Sequence, residues 1–317
     1  MKRWLRLALQ LLSLMLFGII LWLGGLEAWQ QILAGDLEDI LPSFLLTGLA
    51  GMLAANRLRL IATSVAGREL SSWRRFYYLS MTARALGLVV PRSLSTLAGK
   101  SVALRAMGVS LRRSVWIVLM DNIFDLSLLG VLMAPALFFL EGWTSLSGFI
   151  ALALGMTLAL AGGLWWATAT GRLLSLVRRL GHIPRLASAL HLGPESTAGL
   201  LPAHSTGLQA LGLSVLINGA LAIRFYYIAR AVGLAHPWFL FAAGLPVAQL
   251  SLLLAVTPGG LGLYDAGWYG VLLLGGIPQQ EALTFVIAQR AYIFVFVLIW
   301  AGFSTLLSLT VEGRNRA

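Results

Sequence analysis

Long apolar segments separated by short charged loops dominate this sequence and restrict what the chain can fold into. A helix needs roughly 20 apolar residues to cross a bilayer, and several of these segments reach that length. They cover about residues 7–25, 40–56, 76–99, 114–140, 147–169, 207–230, 238–257, 258–277 and 282–310. Only 11% of the 317 residues are charged, compared with roughly 25% in soluble domains. The sequence therefore predicts an all-α membrane protein, with residues 1–317 forming a single polytopic membrane domain.

Basic residues are concentrated in alternate loops, which predicts the orientation of the chain. Eighteen of the 23 Lys and Arg residues lie in segments 1–6, 57–75, 100–113, 171–185 and the C-terminal tail, whereas loops 26–39, 141–146 and 231–237 contain none. Because Lys and Arg concentrate in cytoplasmic loops, we expect both termini in the cytoplasm and a multi-pass protein of the cell inner membrane. The same loops account for the net charge of +11, so we expect no nucleic-acid partner.

Two of the apolar regions do not fit simple transmembrane spans. Region 76–99 has basic segments on both sides, which places both of its ends in the cytoplasm, and it is interrupted at Pro91-Arg92-Ser93. Region 238–277 follows an external loop and is interrupted at residues 257–262. Broken backbone at membrane depth must be covered by protein or by a water-filled cavity. We predict two re-entrant hairpins, one from each side, and about six full spans. Two short full spans over 238–277 are the alternative.

Hairpins that enter from opposite sides are typical of inverted repeats. When Pro91 is aligned with Pro258, the pair Asp121-Asn122 falls beside Gln289-Arg290 after a gap of one residue. A chance match in apolar sequence would look similar. The candidate repeat halves are residues 40–140 and 207–310.

Charged residues inside the apolar segments are the candidates for a substrate site, because each costs at least ~2.5 kcal/mol at the bilayer centre. Arg92 and Asp265 lie at or just after the two breaks, where half-helix N-termini favour an anion. Arg92 and Arg290 can then bind a phosphate. The alternative is that the charges only pair with one another and hold helices together.

Two aspartates and a glycine-rich turn complete the predicted site. Asp121 and Asp125 are four residues apart and share one helix face, where they can balance an arginine or contact a cationic head group. The glycines after Pro258 permit tight packing or positive φ. The candidate lipid- or substrate-binding residues are Arg92, Asp121, Asp125, Pro258, Gly259, Gly260, Gly262, Asp265 and Arg290.

The motifs of common enzymes are missing from the sequence. There is no cysteine, no nucleophile–base arrangement, and no P-loop or dinucleotide fingerprint. The four histidines lack the spacing of metal ligands. We therefore expect no enzyme activity, no catalytic residue, no metal and no cofactor.

The element Pro258-Gly259-Gly260-Leu261-Gly262-Leu263-Tyr264-Asp265, followed by Gly276-Ile277-Pro278 and by Gln289-Arg290, resembles the lysylphosphatidylglycerol synthase transmembrane-region, or flippase-like, family. The resemblance covers about residues 40–310. It departs from the family in the first half, where serines replace glycines after Arg92 and Asn122 replaces an arginine. Relatives are implicated in handling aminoacylated phosphatidylglycerol and polyprenyl-linked lipids. The resemblance implies the membrane region without the soluble synthase domain of the larger relatives.

Together these features predict a flippase or translocase for a charged lipid head group, phosphorylated or aminoacylated, whose partners are membrane lipids. A proton- or cation-coupled secondary transporter of a small solute, using the aspartates, is the main alternative. A membrane scaffold for a separate lipid-modifying enzyme is another. A homodimer is compatible with the chain, although no segment argues for it.

Overall fold

The computed structural model describes residues 3–90, 95–172, 202–252, 257 and 259–314. These residues form helices and no strands, which confirms the predicted all-α membrane fold. The helices are α1 (Arg3–Leu33), α2 (Leu37–Ala66), α3 (Trp73–Val89), α4 (Lys100–Ala106), α5 (Leu111–Leu140), α6 (Leu146–Ala169), α7 (His204–Ala231), α8 (Trp238–Ser251), α9 (Leu263–Leu274) and α10 (Gln279–Arg314), and a π-helical turn, Ser95–Gly99, leads into α4.

Five of the described helices are long and apolar enough to cross a membrane, namely α2, α5, α6, α7 and α10. The protein is therefore an integral membrane protein. Helix α1 lies where another span is predicted but is not one of the five. It is interrupted at Gly25, whose φ of 60° and ψ of −171° are not helical. The number of full spans stays a prediction.

The predicted hairpin regions contain the shortest helices. Helix α3 has 17 residues and α8 has 14, so they rise about 26 and 21 Å, less than the hydrocarbon core of roughly 30 Å. Helices α4 and α9 are shorter still. The predicted breaks at residues 91–93 and at Pro258 lie outside the described residues. The re-entrant path of both segments stays a prediction.

The helices of the two predicted halves pack in a reciprocal way. Helices α2 and α7 form the most extensive pair in the described bundle, while α3 packs on α10 and α8 packs on α5. Each short helix thus contacts the long helix that follows the other break. This packing brings the end of α3 close to the turn before α9.

Close packing depends on glycines of α2, which let neighbouring helices approach. A Cβ atom at Gly48 would lie 2.3 Å from Trp300 of α10, and one at Gly51 would lie 1.6 Å from Met81 of α3. Small residues have this role in membranes because helix association there depends on van der Waals contact rather than on the exclusion of water. The Trp300 indole also donates a hydrogen bond to the carbonyl of Phe44 on α2, at 2.9 Å.

Candidate functional site

The second break is organised around the buried carboxylate of Asp265, in the first turn of α9. Its Oδ2 accepts a hydrogen bond from the backbone N–H of Gly262 at 2.9 Å, which caps the helix. The Arg290 guanidinium of α10 donates from Nε to Oδ1 at 2.6 Å and from Nη2 to Oδ2 at 3.0 Å. Gln289 donates to Oδ1 at 3.3 Å. Asp265 is therefore both a helix cap and the counter-ion of Arg290.

Gly259 joins this break to the first half of the molecule. Its N–H donates to the carbonyl of Gly87 on α3 at 2.8 Å, and its carbonyl accepts from Arg290 Nη1 at 2.7 Å. The Gly87 carbonyl would normally accept from residue 91, but that residue is Pro91, which has no amide hydrogen. Pro91 therefore leaves the Gly87 carbonyl without its helical donor, and the N–H of Gly259 at the second break supplies the hydrogen bond instead.

A second cluster of charges lies in the first half and centres on Arg57 of α2, which is 2% exposed. Its Nε donates to Asp121 at 2.8 Å, and its Nη2 donates to Asp125 at 2.7 Å. Its Nη1 donates to Asp125 and to the Ser214 hydroxyl of α7. Lys100 of α4 donates to the other oxygen of Asp121 at 2.9 Å. Two cations thus compensate two carboxylates inside the bundle.

Both clusters face one cavity of about 560 Å³, within the range of small-molecule sites. Its described charged lining residues come from six helices and are Arg57, Arg84, Lys100, Asp121, Asp125, Arg224 and Arg290. The wall also contains uncharged polar side chains, among them Ser80, Thr96 and Gln249. Apolar residues of α1, α7 and α10 complete it. The cavity therefore combines a charged wall with an apolar one.

The predicted site residues divide into three groups in the structure. Asp121, Asp125, Gly259 and Arg290 line the cavity. Asp265 is fully buried behind Arg290, while Gly260 and Gly262 are buried in the turn before α9. Arg92 and Pro258 lie outside the described residues. Asp265 holds Arg290, a pairing that the alternative interpretation of these charges expected. Arg57 and Lys100, and not Arg92 or Arg290, hold Asp121 and Asp125.

Arg57 and Lys100 belong to the site, although the distribution of basic residues along the sequence placed them outside it. Both fall in basic segments predicted to be cytoplasmic loops, and the predicted span ends at residue 56, yet α2 continues to Ala66. A long basic side chain can stay inside the bundle when carboxylates compensate it. One signal in the sequence could have identified Arg57. It lies 167 residues before Arg224, the same interval that separates Pro91 from Pro258, and Arg224 also lines the cavity.

Comparison with known proteins gives one finding on the family. The family model described as the lysylphosphatidylglycerol synthase TM region matches residues 5–301. No curated protein matches the chain. The match includes part or all of every described helix that lines the cavity, and it includes both clusters of charges. The chain therefore belongs to the lysylphosphatidylglycerol synthase transmembrane-region family.

Proposed function

We propose that the protein is a lipid translocase that moves a charged head group between leaflets through the cavity. The observation that carries this proposal is that charged side chains of both clusters, among them Arg57, Asp121 and Arg290, face one cavity. A head group loses its hydration when it enters hydrocarbon, at a cost of several kcal/mol or more for an ion. Polar groups along the cavity wall can replace part of that hydration, which lowers the barrier to crossing.

The apolar wall supports a lipid rather than a soluble substrate. Phe294 and Val295 line the cavity beside Arg290 and are 46% and 50% exposed on α10. They lie within the candidate span Gln279–Ser308, so apolar surface adjoins the charged wall on a helix that is long enough to cross a membrane. A lipid can place its head group at the charged wall while its acyl chains remain beside these side chains.

The paired carboxylates favour the lipid proposal over a cation-coupled transporter. Asp121 binds two cations, while Asp125 and Asp265 each bind an arginine. A carboxylate that already has a basic partner is a poor site for a proton or a metal cation, because binding must first displace that partner. Transport of a soluble solute driven by these aspartates is therefore the weaker candidate.

A transport assay with matched variants tests the proposal. Purified protein is placed in vesicles that contain a trace of phospholipid labelled on the acyl chain, and dithionite then quenches label in the outer leaflet. We expect wild-type protein to expose inner-leaflet label, with or without an imposed proton gradient. We expect Arg290→Gln to slow this exposure about tenfold, which corresponds to one lost charge-assisted hydrogen bond.

Arg59→Gln is the matched control, because Arg59 forms an exposed ion pair with Glu69 at 3.2 Å, outside the cavity. It should transport lipid at the wild-type rate. Equal rates for Arg290→Gln and Arg59→Gln in folded protein would contradict the role of the cavity. No transfer by wild-type protein would contradict the translocase and favour a scaffold.

We also propose that both termini and the α2–α3 loop face the cytoplasm of a cell whose inner membrane holds the protein. The basic residues that remain in the loops support this orientation. The absence of cysteine makes the test direct. Exposed Ser72 precedes α3 and exposed Glu141 follows α5. In intact cells, a membrane-impermeant maleimide should label Glu141→Cys and leave Ser72→Cys unlabelled. The reverse pattern would invert the topology.

A further inference from the structure

We infer that residues 26–33, the second half of α1, form a strap that closes the cavity against α10 and lifts when a lipid head group passes. The consequence for transport rests on the proposed function, whereas the movement of the strap does not. The strap falls in the loop 26–39 that contains no basic residue, yet it continues helix α1 up to Leu33. Trp29 of the strap and Leu21 before it both line the cavity.

A hinge precedes the strap. Gly25 has a φ of 60° and a ψ of −171°, so the two halves of α1 are not one continuous helix. No atom lies within 4 Å of a Cβ built on this glycine, so the surroundings leave it room to move. Glycine adopts positive φ without the steric cost that a side chain adds. Moving lids turn on a few such positions, which absorb the changes in φ and ψ.

The strap is attached along a narrow stripe. Ala28 and Ile32 are four residues apart, share one helix face and are buried. Leu26 and Leu33, at the two ends, are 80% and 86% exposed, and Trp29 is 42% exposed. Segments with few buried apolar contacts open at a low cost in free energy. The strap can therefore lift while the rest of the bundle stays folded.

A hydrogen bond from Tyr292 fastens the strap to α10. The Tyr292 hydroxyl donates to the carbonyl of Ile32 at 2.7 Å. On the other side of the hinge, a Cβ at Gly24 would lie 2.2 Å from Ile287 of α10, so the first half of α1 packs tightly on the same helix. Arg290 lies between Ile287 and Tyr292 along α10. Loss of the Tyr292 bond therefore frees the strap beside the stretch of α10 that carries the second charge cluster.

Thiol labelling measures the movement directly, because the chain contains no cysteine. In purified protein in detergent, Ile32→Cys places a thiol on the buried side of the strap, where a water-soluble maleimide reaches it only when the strap lifts. We expect Tyr292→Phe in this background to raise the labelling rate about fivefold, as for the loss of one neutral hydrogen bond. Phenylalanine keeps a ring to stack on Phe296, 5.9 Å away, so the packing within α10 is preserved.

Leu33→Cys is the matched control, because Leu33 is exposed while the strap is closed. Its labelling rate should be the same with and without Tyr292→Phe. An equal rise at both positions would show general loosening of α1 and would overturn the inference. Equally slow labelling of Ile32→Cys with and without Tyr292→Phe would overturn it as well.

Lipid transfer in vesicles gives the second readout. We expect Tyr292→Phe to transfer labelled lipid faster than wild type, by up to about fivefold, whereas a purely structural hydroxyl predicts slower or unchanged transfer. A bis-methanethiosulfonate linker, about as long as the tyrosine side chain, should stop transfer when it joins Ile32→Cys to Tyr292→Cys, and a reductant should restore it. The treated single variants carry the reagent without the link and should transfer lipid faster than the linked protein.

The two readouts distinguish this inference from the proposed function. If wild-type protein transfers no lipid, the translocase is wrong, and maleimide labelling still decides whether the strap moves. If lipid crosses at the same rate in linked and unlinked protein, the translocase stands and the strap is not its gate.

Discussion

The two charge clusters beside the cavity compensate buried ions in different ways. Around Asp265, the partners come from one stretch of chain, because Gly262 is three residues away and Arg290 is 25 residues away. Around Arg57, the partners come from α4, α5 and α7, up to 157 residues away. The local cluster shapes a turn and caps a helix, whereas the long-range cluster ties four helices together. Loss of the long-range cluster should therefore destabilise the whole bundle more than loss of the local cluster.

The largest effect is expected for Arg57→Met, which leaves two buried carboxylates with only Lys100 as a cation. Removing one partner of a buried ion pair costs about 3–5 kcal/mol, so a large fall in the melting temperature in detergent is expected. Arg290→Met removes the partner of one carboxylate, and that carboxylate keeps its bond to Gly262, so its cost should be smaller. Equal falls in the melting temperatures of the two variants would contradict the expected difference between the two clusters.

A second substitution identifies the cause of this loss. In Arg57→Met combined with Asp125→Asn, the remaining pair of Lys100 and Asp121 is again neutral, so the double variant should melt above the single one. A double variant that melts lower still would show that Arg57 acts through packing and not through charge.

An intermediate effect is expected at the turn that joins the two halves. Gly259 has a φ of 60°, and a side chain in that left-handed region costs roughly 1–2 kcal/mol. Gly259→Ala should therefore lower the melting temperature measurably. The matched control is Gly99→Ala in the first half, where φ is −60° and no atom lies within 4 Å of the added Cβ. It should be neutral or stabilising by up to about 1 kcal/mol. Equal effects at the two glycines would contradict the assignment of strain.

The smallest effect is expected for Gln289→Met. The substitution removes a long hydrogen bond of 3.3 Å to Asp265 and also removes an Oε1 atom without a described partner. The two losses act in opposite directions, so stability should change by less than about 1 kcal/mol. A fall as large as that of Arg290→Met would show that Gln289 is an essential part of the local cluster.

The sequence was a good guide to the local cluster and a poor one to the long-range cluster. Asp265 and Arg290 stand out because each is an ionisable residue in an apolar segment, and Asp265 also follows directly on an obvious break. Arg57 and Lys100 do not, because each borders a run of basic residues that belongs in the cytoplasm by the charge rule. Asp121 and Asp125 were visible as a pair, but their cations were not, since pairing across 21 to 68 residues leaves no local spacing to read.

The membrane class, the long apolar helices and the family motif could all be inferred from the sequence by itself. They follow from properties of each segment, because apolar length, helix-breaking residues and backbone hydrogen bonding inside a bilayer act locally. Only the tertiary structure decided which charges meet, how far α2 extends, and that both charge clusters face one cavity. An ion inside the bundle is stable only with the partner that the packing of distant helices supplies, and that packing is a property of the whole fold.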